Sequence, residues 1–152
     1  MSKIRGFKVV KGYEDKDISM PERSTKLSAG YDFRSAEDIE ILPFKEEGKP
    51  VLVPTGIKAY MPDSEGLFLY NRSSNPIKKG LWLSNGVGVV DADYYGNRDN
   101  DGHIMFQFIN ISPFPVKIKK GDKIGQGIFM EYKMADNDVA EGERTGGMGS
   151  TN

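Results

Sequence analysis

The residues with the clearest capacity for chemistry are Asp91 and Asp93, which follow the apolar run 87–90 and precede two tyrosines. Side chains at i and i+2 of a strand share a face, so the pattern predicts two neighbouring carboxylates where a buried strand ends. For either aspartate alone, a solvated turn is the ordinary alternative. A carboxylate on a rigid strand end can instead orient or deprotonate a water molecule, as a hydrolase requires.

A second polar segment, 71–76, reads Asn-Arg-Ser-Ser-Asn-Pro and comes after the apolar run 67–70. Its serines are suited to capping a short helix. The Arg72 fork and the Ser73 hydroxyl, with nearby amides, are equally suited to contact phosphate oxygens. The two roles are compatible with each other.

Two glycine-containing turns carry one further candidate each. Segment 29–32 places Asp32 at the start of a strand, and segment 121–127 sets Gln126 among glycines, where a backbone can approach a ligand closely. Ordinary turn formation explains either segment alone.

The tail is polar from about residue 135 and ends in the glycine-rich segment 143–152. Too few apolar residues are present to build a core element, and composition alone favours a frayed end. Arg144, bare glycine amides and two adjacent hydroxyls are also what a phosphate clamp would use.

Short strands must position these residues, because 18 glycines and 8 prolines spread along the chain leave little room for long helices. Runs of β type occur at 4–10, 31–36, 39–42, 51–53, 57–60, 67–70, 87–90, 104–109, 116–118 and 128–132. The best short helix candidate follows Ser74. The 152 residues predict a single all-β domain, as a jelly roll or distorted barrel.

Charge and composition exclude several classes. The formal net charge is -1, which provides no global positive field for duplex DNA. The chain has no cysteine, so it contains neither a disulfide nor a thiolate site. No stretch approaches the roughly 20 apolar residues of a membrane-spanning helix. We expect a cytoplasmic protein with no stable nucleic-acid partner and no membrane partner.

Taken together in their order and spacing, these five segments resemble the five motifs of the trimeric dUTPase family over residues 29–152. The specific matches are 88–96 and 146–151. The resemblance implies a distorted jelly roll or β-clip barrel over residues 1–134. It also implies that residues 135–152 form a flexible arm that completes a neighbouring subunit's site, and that the active molecule is a homotrimer.

The activity implied by the resemblance is hydrolysis of dUTP to dUMP and pyrophosphate, by attack of water on the α-phosphorus. Asp91 matches the catalytic carboxylate. Asn85 and the backbone that follows it would bind uracil, and Tyr94 would pack under the deoxyribose and block a 2′-hydroxyl. Mg²⁺ would be bound mainly by substrate oxygens and waters, so no direct protein ligand of the metal is predicted.

Other roles implied by the resemblance concern the phosphates. Asp32 would act indirectly, by holding a phosphate-binding arginine or the waters of the metal. The residues matching substrate contacts outside the base and sugar sites are Arg72, Ser73, Ser74, Gln126, Arg144, Gly149, Ser150 and Thr151, and Val90 is a further substrate-binding candidate.

Three departures from the family pattern stand out. Met148 occupies a position where the family usually has a phenylalanine over the uracil, which implies a looser lid. Asn71 replaces a common proline. The polar segment 97–103 lengthens the turn after the third motif, either as a solvated extension or as a loop near the mouth of the site that brings His103 toward the ligand.

Two alternative functions remain on the same fold. One is a dCTP deaminase-like relative that releases ammonia from the base. The other is a regulator that binds a protein partner in a nucleotide-dependent manner, with 97–103 as its candidate surface.

Overall fold

A computed structural model describes residues 2–151, which form a β protein with short connections. The strands are β1 (Gly6–Val9), β2 (Tyr31–Arg34), β3 (Ile39–Ile41), β4 (Val51–Pro54), β5 (Ile57–Tyr60), β6 (Glu65–Asn71), β7 (Leu81–Leu83), β8 (Gly88–Asp91), β9 (Met105–Asn110), β10 (Val116–Ile118) and β11 (Lys123–Glu131). The predicted all-β class is confirmed.

Helical structure is confined to three short segments within the described residues. These are α1 (Phe44–Glu47), a π-helical turn (Asn75–Lys79) and a 3₁₀ turn (Ala92–Tyr94). The π-helical turn is the short helix expected after Ser74. No helix between residues 2 and 151 has both the length and the apolar character needed to cross a membrane.

The strands pair antiparallel in four sheets over the described part of the chain. The largest has the order β2-β11-β6-β8, and the next has the order β4-β9-β7. Two pairs, β1-β5 and β3-β10, complete the structure. Non-consecutive neighbours such as β4 and β9 fit the predicted jelly-roll type.

The core lies where the two larger sheets meet. Phe33 and Leu67 of the first sheet and Phe106 and Phe108 of the second are each exposed by 1% or less. The Phe33 and Phe106 rings have their centroids 5.5 Å apart. In β9 buried residues alternate with half-buried ones, which is the period-2 pattern that the sequence predicted.

Strand β11 is longer than predicted, because it begins at Lys123 rather than at residue 128. Glycines at 125 and 127 concealed it from a pattern based on side chains. A Cβ at Gly125 would collide with the Phe106 ring, and one at Gly127 would lie 2.9 Å from Phe33. Close packing of these rings against β11 therefore requires glycine at 125 and 127, and glycines weaken the strand signal in the sequence. Strand β7 and helix α1 were also not predicted.

The expectation that Asp91 and Asp93 share a strand face is wrong. Asp91 is the last residue of β8, and Asp93 lies in the 3₁₀ turn that follows. The backbone is still extended at Asp91, with ψ at 155°, and the next three residues form the 3₁₀ turn, so the strand alternation ends at Asp91. Both carboxylates nevertheless bind the same side chain, Arg144.

Candidate active site

A cleft opens between strand β8 and the beginning of β9. Strand β8 is an edge strand that pairs only with β6 in the sheet order. Strand β9 pairs with β4 from Met105 to Phe108, but with β7 only from Phe108 onward. One side of each strand is thus left without a strand neighbour, and edge strands present backbone donors and acceptors along that side. The cleft therefore offers peptide groups to a ligand.

The cleft has a volume of about 220 Å³ and brings together eight of the predicted site residues. These are Asn85, Val90, Asp91, Tyr94, Arg144, Met148, Gly149 and Thr151. Residues that were not predicted complete its wall: Leu69, Gly88, Val89, Ile104, Met105, Gln107 and Gly147. Of these, Gln107 had a readable signal, because it is a polar side chain within the alternating pattern of β9.

Gln107 helps to fix the turn before β8. Its backbone carbonyl accepts the Ser84 N–H at 2.9 Å, and its Oε1 accepts the Ser84 hydroxyl at 2.7 Å. The turn closes with a hydrogen bond of 3.0 Å from the Gly86 N–H to the Leu83 carbonyl. Gly86 has a φ of 74°, a conformation that glycine adopts without strain. Asn85 is thereby placed at the rim of the cleft.

Arg144 joins the tail to the two carboxylates. Its Nη2 donates to Asp91 Oδ2 at 2.7 Å, and its Nε donates to Asp93 Oδ1 at 2.8 Å. The arginine side chain is only 7% exposed, whereas the two aspartates are more than half exposed. The hydrogen bond with Asp93 and the charges of both aspartates raise the pKa of Arg144 above its ordinary value, against the effect of burial.

Ser150 adds a further contact in the tail, because its hydroxyl lies 3.2 Å from Arg144 Nη1 and donates to the Gly146 carbonyl at 3.0 Å. The tail thus folds into a compact turn around the guanidinium. Met148 stands at the cleft with half of its surface exposed. In this single chain the arm covers the chain's own β8. The prediction that it completes a neighbour's site stays a prediction.

Tyr94 forms the floor of the cleft and is 8% exposed. Its hydroxyl donates to the His103 carbonyl at 2.7 Å and accepts the Asn100 amide at 2.8 Å. The Arg144 guanidinium carbon lies 5.5 Å from the ring centroid, a cation–π distance. Burial raises the pKa of the Tyr94 phenol, which keeps it neutral.

His103 does not face the cleft. It is 4% exposed, and its Nε2 accepts the Gly56 N–H at 2.8 Å while its ring stands edge-on to Tyr13. Burial lowers its pKa to about 4. The alternative in which His103 approaches the ligand is therefore wrong, because the side chain is committed to the core beneath the loop.

The predicted phosphate contacts form a second cluster, at the other end of β6. Arg72 Nη1 donates to the Lys123 carbonyl at 3.3 Å, and Lys123 Nζ lies 3.3 Å from Asp32 Oδ2. Gln126 stands opposite Asp32 in the β2-β11 register, and its amide donates to the Asn71 carbonyl at 3.2 Å. Ser73 is exposed and Ser74 half-buried beside them.

Asn71, the departure from the common proline, shapes this second cluster. Its Oδ1 accepts the Arg72 N–H at 2.9 Å and the Asn75 amide at 2.8 Å, and its Nδ2 donates to the Leu81 carbonyl at 3.0 Å. Asn75 is 2% exposed and also donates to the Ile124 carbonyl. No pattern in the sequence indicated that this buried asparagine positions the loop.

The two clusters do not meet within one chain. Asp91 pairs with Gly66 at the start of β6, and Arg72 follows Asn71 at its end. Five residues of extended strand span about 17 Å. Arg72, Ser73, Ser74, Gln126 and Asp32 are absent from the cleft lining. A larger open cleft of about 530 Å³, between 76–80 and 111–116, contains none of the predicted site residues.

Fold and site together define an all-β protein with a peptide-lined cleft that carries a carboxylate and is covered by a C-terminal arm bearing one arginine, Arg144. Comparisons with known proteins agree on what such a protein is. A family model described as dUTPase matches residues 16–151. The chain belongs to the dUTPase family, and the resemblance of its motifs is confirmed.

The relatives match over nearly their whole length. Deoxyuridine 5′-triphosphate nucleotidohydrolase of Lactococcus lactis is 51% identical over 151 residues, which are 98% of each chain. The dUTPase crystal structure from Streptococcus mutans superposes with a TM-score of 0.79 at 45% identity, covering 87% of this chain and 99% of that one. The dUTPase of Staphylococcus aureus phage phi11 shares the fold, with a TM-score of 0.72 at 19% identity over 92% and 97% of the two chains.

Proposed function

We propose that this chain hydrolyses dUTP to dUMP and pyrophosphate, and the name of its relatives, deoxyuridine 5′-triphosphate nucleotidohydrolase, supports dUTP as the substrate. The observation that carries the proposal is the meeting of Asp91, Tyr94 and the arm residues around one peptide-lined cleft. A carboxylate, an aromatic floor and a guanidinium are the parts needed to hold a water, a sugar and a phosphate chain.

Asp91 orients the attacking water and accepts the sugar 3′-hydroxyl. It suits this role because it ends the paired strand β8, while 54% of its side chain remains open to a ligand. The water oxygen bonds to the α-phosphorus as the bond from that phosphorus to the bridging oxygen breaks, and pyrophosphate leaves. Arg144 must exchange Asp91 for the phosphates as the nucleotide enters, because one guanidinium edge cannot serve both.

Uracil is selected by the backbone of β8 and by Asn85. Peptide N–H and C=O groups on a free strand edge can pair with the edge of uracil as a base would. Cytosine carries an amino group where uracil has a carbonyl, so its binding leaves buried groups mismatched, at about 1–3 kcal/mol for each. The Tyr94 ring supports the deoxyribose from below and leaves no room for a 2′-hydroxyl, and Met148 covers the base.

The complete site is built from more than one chain of a homotrimer. The observation in favour is the separation of the clusters along β6: from the residue that pairs with Asp91, extended strand places Gln126 about 14 Å and Arg72 about 20 Å away. A threefold ring lets the phosphate cluster of one chain face the cleft of the next. Residues 1–134 form the catalytic body. Residues 135–152 form an arm that makes, on the cleft of a neighbouring chain, the contacts with Asp91 and Asp93 that Arg144 makes within the single chain.

Mg²⁺, when bound, would be held mainly by the triphosphate and by water. Among residues 2–151, no group of three or more His, Asp or Glu side chains is arranged to hold a metal ion. Mg²⁺ retains waters and commonly binds through phosphates, so the phosphate oxygens of the substrate and water suit it as ligands. When bound, it neutralises phosphate charge. Asp32 acts on this region through Lys123 and through waters.

The decisive experiment measures pyrophosphate release from each dNTP, with ammonia scored separately. We expect pyrophosphate from dUTP alone, and ammonia from dCTP would favour the deaminase alternative. Asp91→Asn should abolish turnover while nucleotide binding is largely retained, because the amide keeps the shape but loses the charge. Asp136→Asn, at an exposed position of the tail, is the matched control and should turn over normally. Turnover by Asp91→Asn would refute the role of Asp91.

The arm is tested by deletion of residues 143–152. We expect a folded oligomer with strongly reduced hydrolysis, because the deletion removes Arg144 and the cover over the cleft. Co-expression of this deletion with Asp91→Asn tests sharing between chains. Mixed oligomers should regain activity, since each defect can be supplied by another chain. No recovery in verified mixed oligomers would mean that the arm serves its own chain.

A regulatory protein partner at residues 97–103 stays a second proposal. In its favour, this loop contacts both Tyr94 and the arm, so nucleotide binding can change the surface that it presents. A pull-down with and without a dUTP analogue tests it, with a loop variant as control. Capture that does not depend on the nucleotide or on the loop would contradict it.

We place the activity in the cytoplasm.

A further inference from the structure

The polar loop after the 3₁₀ turn makes a specific contact with the arm. Asp99 Oδ2 accepts the Gly147 N–H at 2.8 Å. A Cβ added at Gly146 would collide with the same carboxylate oxygen, and one added at Gly147 would lie 3.1 Å from the Asn100 amide nitrogen. Both glycines are buried in the structure. The glycine pair therefore lets the arm approach Asp99 and Asn100 closely, and a larger residue at 146 would require the Asp99 carboxylate to move.

The loop is held in shape before the arm reaches it. Asn97 Oδ1 accepts the N–H groups of Asp99 at 3.0 Å and Asn100 at 3.2 Å, and Asn97 Nδ2 donates to the Tyr94 carbonyl at 2.8 Å. Asn100 Oδ1 accepts the Gly102 N–H at 3.1 Å. The Asp99 carboxylate is therefore presented from a scaffold that is tied to the floor of the cleft.

We propose that Asp99 is a positioning residue that docks the arm, by holding the Gly146–Gly147 pair beside the cleft independently of the nucleotide's phosphates. Docking at the glycine pair places Arg144 on one side and Met148 on the other, over the cleft. An arm that is already docked loses less conformational freedom when the nucleotide binds, which lowers the KM. The effect on turnover rests on the proposed dUTP hydrolysis, whereas the docking itself does not.

Two substitutions separate the contact from other effects of the loop. Asp99→Ala removes the acceptor, and Asp99→Asn keeps an oxygen acceptor at the same position. Asp136→Ala, at an exposed position of the tail, is the control. Hydrogen exchange of the peptide covering 143–151, without nucleotide, should be faster in Asp99→Ala by roughly fivefold, which corresponds to about 1 kcal/mol. Asp99→Asn and the control should remain near the unsubstituted protein.

Steady-state hydrolysis provides the second measurement. Asp99→Ala should raise the KM for dUTP by a similar factor and change kcat less. In a chain lacking residues 143–152, the same substitution should have no additional effect. Equal arm exchange in Asp99→Ala and the unsubstituted protein, or an equal loss in the truncated chain, would overturn the proposal. If the protein does not hydrolyse dUTP, the exchange measured without nucleotide still decides whether Asp99 docks the arm.

Discussion

Acidification below pH 6.5 should destabilise this protein through His103 before the carboxylates with lowered pKa values contribute. The imidazole is 4% exposed, and its Nε2 accepts the Gly56 N–H, which requires that nitrogen to be unprotonated. Burial lowers the pKa from 6.5 to about 4. Between these values the unfolded chain binds a proton that the folded chain refuses. The contribution of neutral His103 to the free energy of unfolding is therefore fully present above pH 6.5 and is lost as the pH falls toward 4.

The magnitude follows from the shift. Each pKa unit corresponds to 1.36 kcal/mol, so a change of this size is worth about 3 kcal/mol. A domain of this size has a free energy of unfolding on the order of 5–15 kcal/mol, so the loss is a substantial part of the total. The pKa values of Asp101 and Glu65 are also lowered, so protonation of these carboxylates destabilises the fold at lower pH. Their loss should be equal in the unsubstituted protein and in a His103 variant, so it cancels in the comparison.

The assay is urea unfolding at fixed protein concentration, in steps from pH 7.5 to pH 4. His103→Gln is the comparison, because its side-chain oxygen can accept the Gly56 N–H and does not titrate. We expect the unsubstituted protein to lose about 3 kcal/mol more than the variant over this range. Parallel pH profiles for the two proteins would refute the assignment of the loss to His103.

Three substitutions test the floor, the turn and the lid of the site. Tyr94→Phe removes the hydroxyl that hydrogen-bonds to His103 and Asn100, and should lower the free energy of unfolding in urea by about 1–3 kcal/mol. Unchanged stability would contradict the role of these hydrogen bonds. Gly102→Ala should cost more than about 1 kcal/mol, measured by thermal unfolding, because φ is 89° and a Cβ would lie 2.9 Å from the Tyr94 carbonyl oxygen. An unchanged Tm would show that the turn relaxes freely. Met148→Phe should lower the KM for dUTP with little change in kcat, since a rigid ring covers uracil better than a thioether, and an equal KM would remove Met148 from the base site.

Most of the fold was predictable, because its strands alternate or are bounded by turn residues. The β9 pattern gave both the strand and its buried face. The start of β11 was not predictable, since the glycines at 125 and 127 are required by rings from other strands. Local sequence carries no information about such distant packing. Strand β7, with only three residues, is too short to show a period.

The site was predictable in its members but not in its arrangement. The family motifs supplied the residue types, and eight of the predicted residues do line one cleft. The pairing of Arg144 with Asp91 and Asp93 joins residues more than 50 positions apart, so spacing could not reveal it. Asn71 and Asn75 were missed as positioning residues because a buried amide looks like a turn residue in sequence.

Because Arg144 is bound to Asp91 and Asp93, these two carboxylates compete with any bound anion for its guanidinium. An incoming anion recruits the guanidinium only if it offers more negative charge than the carboxylates already provide. A triphosphate does so, whereas a nucleoside monophosphate that has lost its outer phosphates offers far less. Under the proposed hydrolysis, the two carboxylates can bind Arg144 again once pyrophosphate has left, and these ion pairs would then disfavour rebinding of the phosphate products.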